Sequence, residues 1–147
     1  MIMSKLFYIF ILLPVIFLGC FQSSNRNLKF QNFYEGNLSQ FDSIVSYLDS
    51  NQQFLNLFGE VLSSKEINYD LISQLGIDSI YFNSGGCNMK VKQKQYIFTF
   101  SEDEFNNIVL SKNRCSGFIS HKGAAFKNLE NGIKTIGLGW DWFYWEN

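Results

Sequence analysis

The chain reads as an α+β domain, with N-terminal helices packed on one face of an antiparallel sheet of about five strands. Apolar residues recur at helical spacing between Leu38 and Leu75, then at every second position from Ile80 onward. The closing run from Trp140 to Trp145 is aromatic at nearly every position. Such a segment suits a terminal strand lying beside another and covered on at least one side.

The helical part comes first. Leu38, Phe41, Ile44, Val45 and Leu48 line one helical face, and Asn37 with Gln40 offers a capping box at its start. After the break at Asp49-Ser50-Asn51, the residues Phe54, Leu55, Leu57, Phe58, Val61 and Leu62 repeat that spacing and predict a second helix, weakened by Gly59. A third follows, with Ser63 and Glu66 as a capping box, Ile67, Leu71 and Leu75 on one face, and Gly76 as the left-handed stop.

Alternation then takes over. Ile80 and Phe82 begin it, and Asn83-Ser84-Gly85-Gly86 supplies a turn. Cys87, Met89 and Val91 alternate with Asn88, Lys90 and Lys92, which directs the cysteine inward and the lysines to water. A turn over 92–95 leads to Tyr96, Phe98 and Phe100. Ser101 to Glu104 forms one acidic turn before a strand at Ile108-Val109-Leu110, and Phe118 to His121 reads as another short strand. Between Lys122 and Gly139, helical spacing of Phe126, Leu129, Ile133 and Ile136 competes with four glycines that favour turns.

The 147 residues suffice for one domain, and 46% hydrophobic content with 17% charged residues argues against disorder. Twelve basic against thirteen acidic residues give a net charge of −1, which leaves no electrostatic footprint for nucleic acid.

The N-terminus carries an address. Lys5 precedes an apolar run from Leu6 to Leu18, broken only by Pro14 and too short for the roughly 20 residues of a membrane-spanning helix. Gly19 and Cys20 follow at once. The segment Phe17-Leu18-Gly19-Cys20 resembles the lipobox of bacterial lipoproteins, with Phe17 where that pattern prefers Leu. The resemblance covers residues 1–20. It implies cleavage before Cys20 and acylation of its sulfur and new amine, with a signal peptide over 1–19, a lipidated tether over 20–32 and a single α+β domain over 33–147. Phe21, where Asp would favour retention in the inner membrane, implies the outer membrane facing the periplasm.

Export also changes how the other cysteines read. In an oxidising compartment Cys87 and Cys115 are expected to pair, closing a loop worth roughly 3–4 kcal/mol in the chain-entropy model. Two buried thiols, or a metal site completed by His121, are the alternatives. The chain has one His and no Cys-x-x-Cys, so no metal and no cofactor is expected.

Catalytic patterns are thin. Ser120 and His121 are neighbours on an expected strand, where successive side chains point to opposite faces, so no nucleophile-base pair forms there. Asp141, set among tryptophans, is the carboxylate most subject to desolvation, and Gly85-Gly86 lacks the context of a phosphate loop. Two strips suit partner binding: Lys90, Lys92 and Lys94 for an anionic group, and Trp140, Trp142 and Tyr144 for sugar rings if exposed. The expectation is a non-enzymatic, lipid-anchored binding module of the cell envelope, of the inhibitor or immunity type. The alternative is a glycan-binding lipoprotein using the aromatic strand.

Overall fold

The structure, a computed structural model, describes residues 25–85, 93–113, 122, 125–127, 134–139 and 141–146. It divides into two compact units, Met1–Asn37 and Leu38–Asn147.

In the first unit, residues 25–36 form helix α1. This differs from the expected tether over 20–32, whose described part, 25–32, is helical. The Asn and Gln content of the segment masks good helix formers at Arg26, Leu28, Lys29 and Gln31, and Phe30 and Phe33 sit at helical spacing with ring centroids 6.1 Å apart. Asn37 closes the helix, its amide Nδ2 donating to the Phe33 carbonyl at 2.8 Å and its backbone N–H to Tyr34. The side chain therefore serves α1 rather than the capping box expected with Gln40.

The second unit holds helix α2 (Leu38–Ser50), a 3₁₀ turn (Gln52–Phe54), strand β1 (Glu60–Ser63) and helix α3 (Asp70–Gln74). Strands β2 (Ile77–Gly85), β3 (Gln93–Phe100), β4 (Ile108–Asn113), β5 (Ala125–Lys127), β6 (Lys134–Gly139) and β7 (Trp142–Glu146) follow. All pairings are antiparallel, in the order β1-β2-β3-β4-β7-β6-β5, so the fold is α+β with a seven-stranded sheet in place of about five. The strands not expected are β1 and β5, a short edge at either end, and β6, where the glycine-rich stretch 122–139 left helix and turn in competition; the strands expected at 87–91 and 118–121 lie outside the described residues. The terminal aromatic strand sits inside the sheet, between β4 and β6.

Register explains the core. Ile80, Phe98, Leu110 and Tyr144 stand opposite one another across four strands, as do Phe82 with Tyr96 and Lys112 with Trp142. Cross-strand partners share a face, so these residues build one apolar surface. Phe41, Ile44, Val45 and Leu48 of α2 are buried, as the helical spacing predicted. Phe41 is the centre of the contact, edge-on to Phe98, Phe100 and Trp142 at 6.3, 6.4 and 5.8 Å. Such pairs add about 0.5–1.5 kcal/mol each beyond area burial. The far end of α2 is fixed by the buried Tyr96, whose hydroxyl donates to Asp49 Oδ1 at 2.6 Å.

The second predicted helix is absent. Its first turn is the 3₁₀ segment, where buried Phe54 stacks on Phe82 at 6.0 Å, and its last residues are β1. Gly59 causes the change of direction, with φ at +79° and its N–H donating to Phe82 O at 2.7 Å. Since Phe82 is also opposite Glu60, two residues face one, which is a bulge built on a left-handed glycine. Pairing with β2 thus overrides the helical pattern.

The Ser63–Glu66 interaction forms without a helix directly behind it. Glu66 Oε2 accepts from Ser63 N and Ser63 Oγ, both at 2.7 Å, and these bonds hold the Glu66 carboxyl below its ordinary range. Helix α3 starts later, at Asp70, and buries Ile72 in preference to half-buried Leu71. Gly76 does end it in the left-handed region, at φ +64°, with Glu102 Oε1 only 3.1 Å from where a Cβ would stand.

Two expected turns are strand. Asn83, Ser84 and Gly85 pair with Gln95, Lys94 and Gln93, so β2 and β3 extend through both 83–85 and 93–95. Glu102 to Phe105 makes successive turns before β4, close to the expected single acidic turn. Among the described residues no helix is long and apolar enough to cross a membrane. Phe41→Ala is expected to destabilise the protein by about 3–5 kcal/mol, measured by urea unfolding, because three aromatic neighbours lose their common partner.

Candidate functional site

Strand alternation brings Lys112 onto the helix-facing side of the sheet. Ile108, Leu110 and Lys112 follow each other at every second position of β4, so Lys112 emerges beside the apolar core, directly opposite Trp142 on β7. An ammonium there is costly unless it is paired. Its pairing is supplied from two other elements.

Asp141, just before β7, accepts at 2.9 Å, and Asp42 of α2 accepts at 3.3 Å. The Lys112 side chain is 14% exposed, against 28% for Asp141 and 52% for Asp42. Lys112 Nζ also lies 4.7 Å from the Trp142 ring centroid, within range of the cation–π attraction. Trp142, itself buried, donates its indole N–H to Asp42 Oδ1 at 3.2 Å. Asp42 Oδ1 thus takes two donors, one from each central strand.

Leu38, one helical turn before Asp42, completes the wall of a cleft of about 260 Å³ lined by Leu38, Asp42, Lys112, Asp141 and Trp142. The arrangement joins α2, β4 and β7 and presents two carboxylates and one ammonium at an open rim. Among the described residues, no group of three His, Cys, Asp or Glu side chains is placed to hold a metal ion.

The residues singled out from the sequence fall elsewhere. Lys94 was expected in water beside Lys90 and Lys92, yet it shares the core-facing side with Tyr96. Its Nζ donates to Phe54 O at 2.9 Å and sits 6.0 Å from the Phe58 ring, so it clamps the chain entering β1. Trp142 and Tyr144 do share a face, but they are 1% and 0% exposed, which removes both rings as stacking platforms for sugars. Both rings belong to the core, and Phe41 of α2 packs edge-on against Trp142. Asp141 is the one carboxylate marked from the sequence that enters the cleft. Lys90, Lys92, Trp140, Cys20, Cys87, Cys115 and His121 lie outside the described residues.

Sequence reasoning missed Lys112 and Asp42. The signal for Lys112 was its parity with Ile108 and Leu110, obscured because the polar stretch from Ser111 onward reads as a connection. Asp42 beside buried Phe41 carries no sequence signal beyond its place on the helix.

A double-mutant cycle on unfolding free energy is expected to give a larger coupling for Lys112→Met with Asp141→Asn than for Lys112→Met with Asp42→Asn. The first pair is shorter and less exposed, and both couplings stay near or below about 1 kcal/mol and shrink with added salt.

No protein-family model, curated protein or solved structure matches this chain.

Proposed function

We propose that the protein is a lipid-anchored, non-enzymatic lipoprotein of the cell envelope that acts by binding a partner protein, in the manner of an inhibitor or immunity protein. The observation that carries this reading is the order Lys5, apolar run, Gly19, Cys20 at the head of the chain. Acyl chains on Cys20 add about 0.8 kcal/mol per buried CH₂, and two or more anchor stably where one is marginal. Phe21 in place of Asp supports the outer membrane, facing the periplasm. The domain that follows supplies a rigid scaffold, with exposed side chains along one sheet edge and an oriented charge cluster at the α2–β4–β7 junction. Binding of a protein is favoured over glycan stacking because Trp142 and Tyr144 are spent on the core.

Metabolic labelling with palmitate tests the anchor. The full chain is expected to take up label and sediment with membranes, and Cys20→Ser to lose the label and become soluble. An unlabelled wild-type chain in the intracellular soluble fraction sinks the reading.

Export carries a second expectation, that Cys87 and Cys115 are cross-linked. Alkylation under non-reducing conditions should leave both unmodified, and reduction should lower stability by roughly 3–4 kcal/mol. Quantitative alkylation of either thiol in protein taken directly from cells contradicts it.

A further inference from the structure

The edge of the sheet at β1 combines an open hydrogen-bonding pair with exposed apolar side chains. Ser64 N–H donates to Asp78 O at 2.7 Å, and the register runs Ser63 to Ser79, Leu62 to Ile80, Val61 to Tyr81 and Glu60 to Phe82. Hydrogen-bonded pairs alternate along an antiparallel ladder, so Leu62 and Glu60 bond β2 while Val61 and Ser63 direct their N–H and C=O away from it. Ser63 is already satisfied: its N–H by the Glu66 carboxylate at 2.7 Å and its C=O by Glu66 N–H at 3.0 Å. Val61 is then the one residue of β1 whose outward backbone groups have no partner among the described residues.

Apolar surface gathers at the same place. Among the described residues the exposed large hydrophobics are Leu28, Leu55, Phe58 and Val61, and three of these fall between positions 55 and 61. Val61, 59% exposed, lies on the face away from α2, in register with Tyr81. Phe58, 37% exposed, lies beside Lys94 on the other face. An added strand, whose side chains alternate between faces, would meet an apolar neighbour on each. Exposed Glu60 sets a carboxylate next to Val61, while exposed Lys65 lies beyond Ser63 beside Glu66, whose carboxylate is taken by Ser63.

We propose that this edge is the docking site for an extended segment of a partner protein, which pairs with Val61, lays apolar side chains against Phe58 and Val61, and brings a basic residue to Glu60. The proposal deepens the reading of the protein as a partner-binding module and rests on it. A second copy of this chain fits poorly. A two-fold pairing centred on Val61 would next set Gly59 against Ser63 twice over, with the N–H groups of both chains already engaged by Phe82 O and Glu66 Oε2, whereas a foreign segment brings no such engaged groups of its own and needs only Val61. The same Glu66 seal ends the pairing at Ser63.

The test is photo-crosslinking of the full chain in living cells, with benzoylphenylalanine in place of Phe58. A light-dependent adduct is expected with a different protein, its site mapping by peptide sequencing to an extended segment that carries a basic residue. Val61→Pro removes the N–H and is expected to lower the yield at least about tenfold. Glu60→Lys is expected to lower it severalfold, and Asp103→Asn, distant in the chain from this edge, to leave it unchanged. Circular dichroism checks each variant, and Glu60→Lys carries the decision should Val61→Pro not fold. The proposal is overturned by no adduct, by an adduct indifferent to Glu60→Lys and to a folded Val61→Pro, or by an adduct to a second copy of the chain. Palmitate label read from the same cells separates the two claims: label without adduct removes the docking site alone, and an edge-dependent adduct without label removes the anchor alone.

Discussion

Burial of the α2 stripe against the even-numbered face of the sheet is the contact from which the rest of the folded unit takes its geometry. Phe41 joins β3 and β7 through Phe98, Phe100 and Trp142, and Phe98 meets Trp142 directly at 5.8 Å, between strands that lie far apart in the chain. Because the strand period is two, this contact sets the inward parity shared by Ile80, Phe98, Leu110 and Tyr144 across β2, β3, β4 and β7. It also decides which aromatics are available to a partner. Trp142 and Tyr144 face inward and are closed to one.

The Lys112 cluster follows from the same constraint. Once Ile108 and Leu110 are committed to the core, parity obliges Lys112 to follow them, and the fold answers with Asp141, Asp42 and the Trp142 ring. Each partner belongs to a different place in the sequence. The ammonium consequently registers the helix against two strands, a task an apolar residue would perform with less directional preference. The indole bond to Asp42 adds a second tie along the same line.

At the β1 edge a different balance holds. Sheet edges invite unwanted pairing, and short strands and charges are the usual protection. Here β1 has four residues, and Glu66 closes Ser63 with a carboxylate that the two bonds keep ionised to lower pH than an ordinary glutamate. The seal therefore holds above the ordinary carboxylate range and is lost only as pH falls through the lowered value. Protection stops at Val61, where the bulge at Gly59 begins. The edge is thus closed at Ser63 and bent at Gly59, with Val61 between them beside exposed Phe58.

Much of this was readable from periodicity. The face Phe41, Ile44, Val45, Leu48, the left-handed stop at Gly76 and the strands holding Phe82, Phe98 and Trp142 all follow from spacing, because a helix and a strand repeat their exposure at fixed intervals. The segment 54–62 was not readable, since its helical pattern is real and was overruled by pairing with β2 through a glycine bulge. Nor was the cleft, which depends on Asp42 and Lys112 meeting across seventy positions. By itself the sequence determined the class of the fold, the inward face of α2 and the alternation that buries Phe82, Phe98 and Trp142. Only the tertiary structure decided which charges meet, which aromatics are hidden and which edge stays open, because those depend on distances between segments that no local period encodes.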